Sequence, residues 1–441
     1  MGRTQRVRVV GSLSVWLVFM AGAAGSVWGQ AGGIAGMVVD SAGRPVAHAQ
    51  VVALPGMRQA TSDGRGRFEL RHLAAGVYRV EASLIGYAPA VREVSVVSGA
   101  VTGIDMRLVP TPLTLPGVEV TASGTGRSPA AVTQATTQLS GKALERELGG
   151  TVAQTLRYQP GIAVRSMGPA AAMPVIRGLT GDRVLVLQDG QRTADLAGSA
   201  DDHGMTIDPL TAQRVEVVRG PATLLYGNNA LGGVVNVISG DVSGDMPLRR
   251  QITVAAQTET AHPGGAMSVR ALAPAGGTWS VMARAGGRWA GDMRIGDDPV
   301  LGRRLRNTAS RSWNGAIALS RSAPGWSGSV AVRAYDFAYG LPFPPGADPI
   351  DLRGSRLEVA GRAELDLGLG AFPSARVDVT AQDYGHDELS GMVVDQRFEL
   401  VTHTVNVLVR QAPLGPLRDG AWGASVLLRR YSPTGPAALT P

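Results

Sequence analysis

Leu357-Glu358-Val359-Ala360-Gly361-Arg362-Ala363-Glu364-Leu365-Asp366-Leu367-Gly368-Leu369 alternates between two kinds of side chain. Leu357, Val359, Gly361, Ala363, Leu365, Leu367 and Leu369 fall on one face of an extended strand. Arg356, Glu358, Arg362, Glu364 and Asp366 fall on the other. Successive side chains of a strand point to opposite sides, so this period of two describes a sheet with one apolar and one charged surface. Ala375, Val377, Val379 and Ala381 alternate with Arg376, Asp378, Thr380 and Gln382 in the same way, and 252–257, 279–285 and 328–334 repeat the theme. Long alternating segments separated by Gly- and Pro-rich turns are the pattern of an antiparallel transmembrane β-barrel. A soluble sandwich gives the same alternation, so the order of segments before Arg249 has to decide.

The chain has 441 residues, with 59 glycines, 27 prolines and no cysteine. The last fact excludes a disulfide framework, a thiolate metal site and a cysteine nucleophile. The net charge of +7 rests almost wholly on arginine, because Lys142 is the sole lysine. Those arginines are scattered rather than gathered in a stripe, so no nucleic-acid partner is expected. No nucleophile–base pair or paired-acid arrangement stands out, and an enzyme is not expected.

At the N-terminus, Arg3, Arg6 and Arg8 precede an apolar run over Val9–Ala24 and then small residues up to Gln30. This is the layout of a cleaved secretory signal peptide over residues 1–30, and it implies export. Residues 32–109 read as a small β-sandwich, with strands at 34–40, 49–53, 67–70, 77–83 and 91–97 and turns such as Ser62-Asp63-Gly64-Arg65-Gly66. The order G-x-V-x-D-x-x-G-x-P, T-x-x-D-G-x-G-x-F and G-x-Y-x-V-x-A in this region resembles the carboxypeptidase regulatory-like domain. No peptidase activity comes with it, since the metal-binding His/Glu pattern is missing and His48 and His72 read as surface residues. A proline-spaced linker over 110–126 contains the β-prone Gly117-Val118-Glu119-Val120-Thr121. Taken locally, this segment is either a plain linker strand or a peptide able to join another protein's sheet edge.

Residues 127–241 mix short helices at 140–145 and 151–157 with apolar strands at 183–187, 215–218 and 234–238. They contain, in order, Leu156-Arg157-Tyr158-Gln159-Pro160-Gly161, Ile176-Arg177-Gly178, Gln188-Asp189-Gly190, Arg214-Val215-Glu216-Val217-Val218-Arg219-Gly220-Pro221, Leu225-Tyr226-Gly227 and Leu231-Gly232-Gly233-Val234-Val235-Asn236. This ordered set resembles the plug domain of a TonB-dependent outer-membrane receptor. The resemblance implies a mainly β protein of three parts: a β-sandwich, an α+β plug, and a barrel of roughly 22 strands around the plug. Residues 249–441 have room for about nine or ten strands at roughly 20 residues each with loops, and the chain lacks a terminal aromatic strand, so a C-terminally truncated receptor is expected. It also implies outer-membrane localisation in a Gram-negative-type bacterium, contact with outer-membrane lipid, and TonB (with ExbB and ExbD) as partner. Gly117–Thr121 then becomes the TonB box. Arg177, Arg214, Glu216 and Arg219 are expected to contact a polar lumen wall, while Gly178, Asp189, Gly190, Gly220, Gly232 and Gly233 complete the plug motifs.

Between those motifs lies Ser199-Ala200-Asp201-Asp202-His203-Gly204. Carboxylate and imidazole donors suit a borderline divalent ion such as zinc, although an exposed polar loop would have the same residues. The stretch resembles the zinc-uptake subgroup of these receptors, as does Tyr384-Gly385-His386-Asp387-Glu388. That resemblance makes Asp202 and His203 metal ligands, with Asp201 in reserve, and makes the cargo a zinc ion or a ferric chelate. No resident cofactor is expected. A siderophore or glycan receptor, or a non-transporting remnant, are the rival readings.

Overall fold

The computed structural model describes residues 32–54, 58–84, 87–88, 90–110, 135–220, 229–243, 247, 249–343, 346–415 and 420–436. The signal-peptide segment 1–30, the box segment 117–121 and the motif Leu225-Tyr226-Gly227 lie outside the described residues. The chain divides into two compact units at Leu113/Thr114.

The first unit is a sandwich of two four-stranded sheets. Its strands are β1 (Gly32–Asp40), β2 (Gln50–Leu54), β3 (Arg58–Thr61), β4 (Arg67–Leu73), β5 (Gly76–Ser83), β6 (Tyr87–Ala88), β7 (Ala90–Val96) and β8 (Val101–Pro110). One sheet runs β4-β1-β8-β6 and the other β3-β2-β5-β7. Here the alternation is that of a soluble protein. In β4 and β5, Phe68, Leu70, Tyr78, Val80 and Ala82 point inward and are buried, and their charged neighbours face out. Strand β8, which escapes the sequence reading, pairs in parallel with β1 over its length. The Asp40 carboxylate closes the turn after β1 by accepting the Ala42 and Arg44 N–H groups at 2.8 and 2.9 Å.

The second unit begins with the plug. Strand β9 (Thr136–Ser140), helices α1 (Gly141–Glu147) and α2 (Val152–Thr155), and strands β10 (Ile162–Ser166), β11 (Ala172–Ile176), β12 (Val184–Gln188), β13 (Gln191–Arg192), β14 (Arg214–Arg219) and β15 (Gly233–Ile238) follow in order. Helix α2 starts on a reciprocal capping box: Thr151 Oγ1 accepts the Gln154 N–H and Gln154 Oε1 accepts the Thr151 N–H, both at 3.2 Å. The main sheet has the order β13-β12-β15-β14-β9, with β12 and β15 parallel. It buries Val184, Val186, Val215, Val217, Val235 and Val237 against α1 and α2 side chains. Gly233 is required where β15 passes β14. Its φ is 156°, and a Cβ would collide with the Val218 carbonyl. Asp189 and Gly190 both have positive φ, 51° and 79°, the pair of values that makes the tight hairpin between β12 and β13.

Strands β16 (Gln251–Glu259), β17 (Gly264–Pro274), β18 (Trp279–Ala290), β21 (Ser310–Ala323), β22 (Trp326–Leu341), β23 (Ile350–Asp366), β24 (Ser374–Ser390), β25 (Val393–Gln411) and β26 (Gly420–Thr434) form one antiparallel nine-stranded sheet in sequence order. A separate hairpin, β19 (Met293–Asp298) and β20 (Gly302–Leu305), rises from the connection between β18 and β21. Among the described residues the sheet does not close on itself. Its burial pattern decides between barrel and sandwich. In β23, Arg356 and Glu358 are 4 % and 2 % exposed, whereas Leu357 and Val359 are 55 % and 45 % exposed. A soluble sandwich would bury the leucine. This sheet turns its charged row onto the plug and its apolar row outward, the arrangement of a membrane barrel wall. No described helix is long and apolar enough to cross a membrane.

Candidate metal centre at the plug–wall seam

The plug loop 199–204 crosses the inner face of β22 and β24. Tyr339 fixes it there: its hydroxyl accepts the Gly204 N–H and donates to the Asp202 carbonyl, each at 2.7 Å. The loop thereby places His203, which is buried, against two side chains of the wall. His386 and Glu388 are two apart in β24 and so share its inward row with Tyr384. The His203 and His386 rings meet edge-on at 4.6 Å between centroids, and Phe398 stacks on His386 at 4.8 Å.

The ring nitrogens are oriented by their outer partners. His203 Nδ1 lies 3.1 Å from the Leu196 carbonyl, which can only accept, so this nitrogen carries the proton and Nε2 points inward. His386 Nδ1 pairs with Tyr384 Oη at 3.0 Å. Its Nε2 is buried and without a hydrogen-bond partner. His203 Nε2 is 3.2 Å from Glu388 Oε1 and 3.8 Å from Asp202 Oδ1, and His386 Nε2 is 3.7 Å from the same Glu388 oxygen. Tetrahedral zinc with bonds of about 2.0–2.1 Å spaces its ligand atoms about 3.3 Å apart, so these separations are already close to those of a filled site. The donor set, two imidazoles and one or two carboxylates, suits zinc and neighbouring transition ions better than magnesium or calcium. Burial works against a charge on His203, but the Glu388 hydrogen bond and the Asp202 charge prevail and raise its pKa above 6.5.

Of the expected ligands, His203 is brought together with His386 and Glu388, and Asp202 lies beside it. Asp201 does not join them: its carboxylate pairs with Arg165. The wall half of the centre was visible only as the resemblance of 384–388, because no local pattern says which inward histidine faces which plug loop.

A second cluster ties plug to wall beneath this one. The buried guanidinium of Arg333 bridges three carboxylates: plug Asp189, Asp241 at 3.1 Å, and Glu358 at 2.6 Å. Arg284 adds a 2.8 Å pair to Asp241, and Arg288 a 3.0 Å pair to Asp208. Asp189 also accepts from Ser239 N, Ser239 Oγ and Gly240 N at 2.8, 2.6 and 3.0 Å. Two of the plug arginines expected at the wall have partners inside the plug. Arg214 pairs with Glu216 at 2.7 Å and Arg219 donates to Thr137 at 2.6 Å, both within the plug. Glu216 and Thr137 lie in the same sheet as these arginines, where β14 stands between β15 and β9. Arg177 occupies a turn with φ of 51°, followed by Gly178 at 80°. In the ion pairs across the seam the plug supplies the carboxylates of Asp189, Asp208 and Asp241, and the wall supplies Arg284, Arg288 and Arg333.

With this geometry in view, comparison with known proteins is direct. Residues 33–109 match the family model of the carboxypeptidase regulatory-like domain, and residues 115–234 that of the TonB-dependent receptor plug domain. The chain thus carries a regulatory-like domain followed by a TonB-dependent receptor plug domain. It is 38 % identical over 117 residues to a hemin receptor of Yersinia pestis, covering 26 % of this chain and 17 % of the relative. It is 30 % identical over 222 residues to the vitamin B12 transporter BtuB of Vibrio vulnificus, covering 50 % of this chain and 35 % of that protein. The fold is similar to the copper transporter OprC (16 % identity, TM-score 0.52, 68 % of this chain and 47 % of that one). It is also similar to the ferripyoverdine receptor of Pseudomonas aeruginosa (14 % identity, TM-score 0.54, 75 % and 47 %). The chain spans about a third or less of the curated relatives and about half of the solved structures.

Proposed function

We propose that the whole protein is an outer-membrane importer that takes up a transition-metal ion, zinc before others, and passes it to the periplasm when TonB pulls on the plug. The observation that carries this reading is the convergence of His203, His386 and Glu388, whose ligand atoms lie within 4.8 Å of one another, with Asp202 beside them. Two of these ligands travel with the plug and two stay with the wall, so a displaced plug dismantles the centre. The centre sits near the end of the sheet that bears the longest connection, 291–309 with the β19–β20 hairpin, whereas the connections at the opposite end, 275–278 and 324–325 among them, are all shorter than that one. Barrels of this kind put short turns in the periplasm, so the centre faces incoming ligand. In this reading residues 1–30 are a signal peptide, 32–109 the regulatory-like domain, 110–126 a linker with the TonB box at Gly117–Thr121, 127–241 the plug and 249–441 wall. ExbB and ExbD energise TonB.

A chelate is the second reading, and the names of the relatives favour it: a hemin receptor and a vitamin B12 transporter. The two separate in one uptake experiment. Zinc-starved cells expressing the whole protein should accumulate free zinc in a TonB-dependent manner. Accumulation of a ferric chelate or heme, with no zinc uptake, would overturn the ionic reading and keep the importer.

A further inference from the structure

Arg321 is out of place by simple hydropathy. It lies on the outer row of β21 with Trp313, Ile317 and Leu319, which are exposed. No carboxylate pairs with it among the described residues. Instead two indoles flank it. Its cross-strand partner on β18 is Trp279, whose ring centre is 5.2 Å from the guanidinium carbon. Its partner on β22 is Gly328, and there the Trp326 ring leans across, 5.3 Å from the same carbon. Gly328 makes that lean possible, because a Cβ at this position would stand 3.1 Å from the indole. Arg321 Nε donates to Thr278 Oγ1 at 3.4 Å, which fixes one edge of the fork. The Nη edge is left for a ligand.

The depth of the cluster follows from β18. Trp279 and Trp289 are both exposed and near the strand's two ends. Ten residues at about 3.3 Å, tilted by about 40°, span roughly 25 Å, the height of the apolar band of such barrels. Trp279, and with it Arg321, therefore stands at the polar boundary on the side of the 275–278 and 324–325 connections, where indoles prefer to sit. A guanidinium flanked by two rings, with its Nε edge engaged by Thr278, matches a phosphodiester by charge-assisted hydrogen bonds from its Nη edge.

We propose that Arg321, Trp279 and Trp326 form a binding site for the phosphate of a glycerophospholipid in the leaflet at the 275–278 end of the wall. The proposal rests on the outer face meeting lipid, and not on which cargo is imported. The test uses the full-length protein in mild detergent, with phosphatidylglycerol added stepwise and bound lipid counted by native mass spectrometry. Arg321→Gln should weaken retention about tenfold, the scale of one lost charge-assisted pair. Arg321→Lys should restore it only in part, and Gly328→Val, which displaces the Trp326 indole, should weaken it without removing any charge. Equal retention by wild type and Arg321→Gln would overturn the site, as would loss of lipid A instead of phosphatidylglycerol, which places the cluster in the other leaflet. A protein with no lipid-facing wall would retain no lipid in any form, and that outcome too would overturn it.

Discussion

His203 Nε2 and Glu388 Oε1 lie 3.2 Å apart although 185 residues separate them in the chain. One belongs to a plug loop and the other to a wall strand, so the contact reports directly on how the plug is seated. Tyr339 holds the loop from the wall side, and Tyr384 holds His386 from its own strand. The candidate centre is pre-shaped by groups that are not themselves among its candidate ligands.

Tyr384→Phe keeps the ring and removes only the hydroxyl against His386 Nδ1. Zinc affinity should fall by about tenfold, the usual effect of losing an orienting partner behind a metal ligand. Asp201→Asn should leave affinity unchanged, because that carboxylate is engaged by Arg165. Titration calorimetry on the full-length protein reads both.

The pH dependence follows from His203. A metal needs the neutral ring, and the pKa of this ring is raised above 6.5 by Glu388 and Asp202 against the effect of burial. Protons therefore compete with zinc from a pH above 6.5 downward, and affinity should decline as pH falls through the raised value. Without metal the sign is opposite for stability. The His203–Glu388 pair contributes fully below 6.5 and its contribution is lost as pH rises through the folded-state pKa. Asp202→Asn should move the onset of proton competition to lower pH, which an affinity series in buffers of stepped pH would detect.

Arg333→Ala removes a buried cation paired with the Asp189 carboxylate. Breaking a buried pair from one side costs about 3–5 kcal/mol. The full-length protein should lose that stability in denaturant. Amide exchange at 184–192 should accelerate, because Asp189 terminates that strand. Unchanged exchange would show that the plug is held by other contacts.

Val118→Pro tests the coupling segment. Proline withdraws a ladder N–H, so strand pairing with TonB should fail and uptake stop while ligand binding at the cell surface persists. Normal uptake in this variant would place the box elsewhere.

Much of the architecture was legible because period-two alternation and the plug motifs are local. Leu357 and Glu358 could be assigned to opposite faces from spacing alone, but not to lipid and lumen, since a sandwich inverts the two; the exposure of Leu357 decides it. Asp202 and His203 were legible as adjacent donor residues. Glu388 and His386 were not singled out as ligands, because their role depends on β24 lying opposite one plug loop. The charged inner row was read as a polar lumen wall, without named partners. In the structure Arg284 and Arg333 are buried on Asp189 and Asp241, and no sequence pattern names partners that far apart. Arg214 and Arg219 were sent to the wall for the same reason in reverse: their charge was visible and the position of β14 between two plug strands was not.

Zinc calorimetry on the full-length protein with two paired variants tests the central claim most directly. One variant, Asp202→Ala/His203→Ala, strips the plug half of the centre, and the other, His386→Ala/Glu388→Gln, strips the wall half. The account predicts that wild type binds one zinc ion with high affinity and that either variant alone loses it while retaining the native circular dichroism spectrum. Wild-type affinity in either variant would contradict a centre shared between plug and wall.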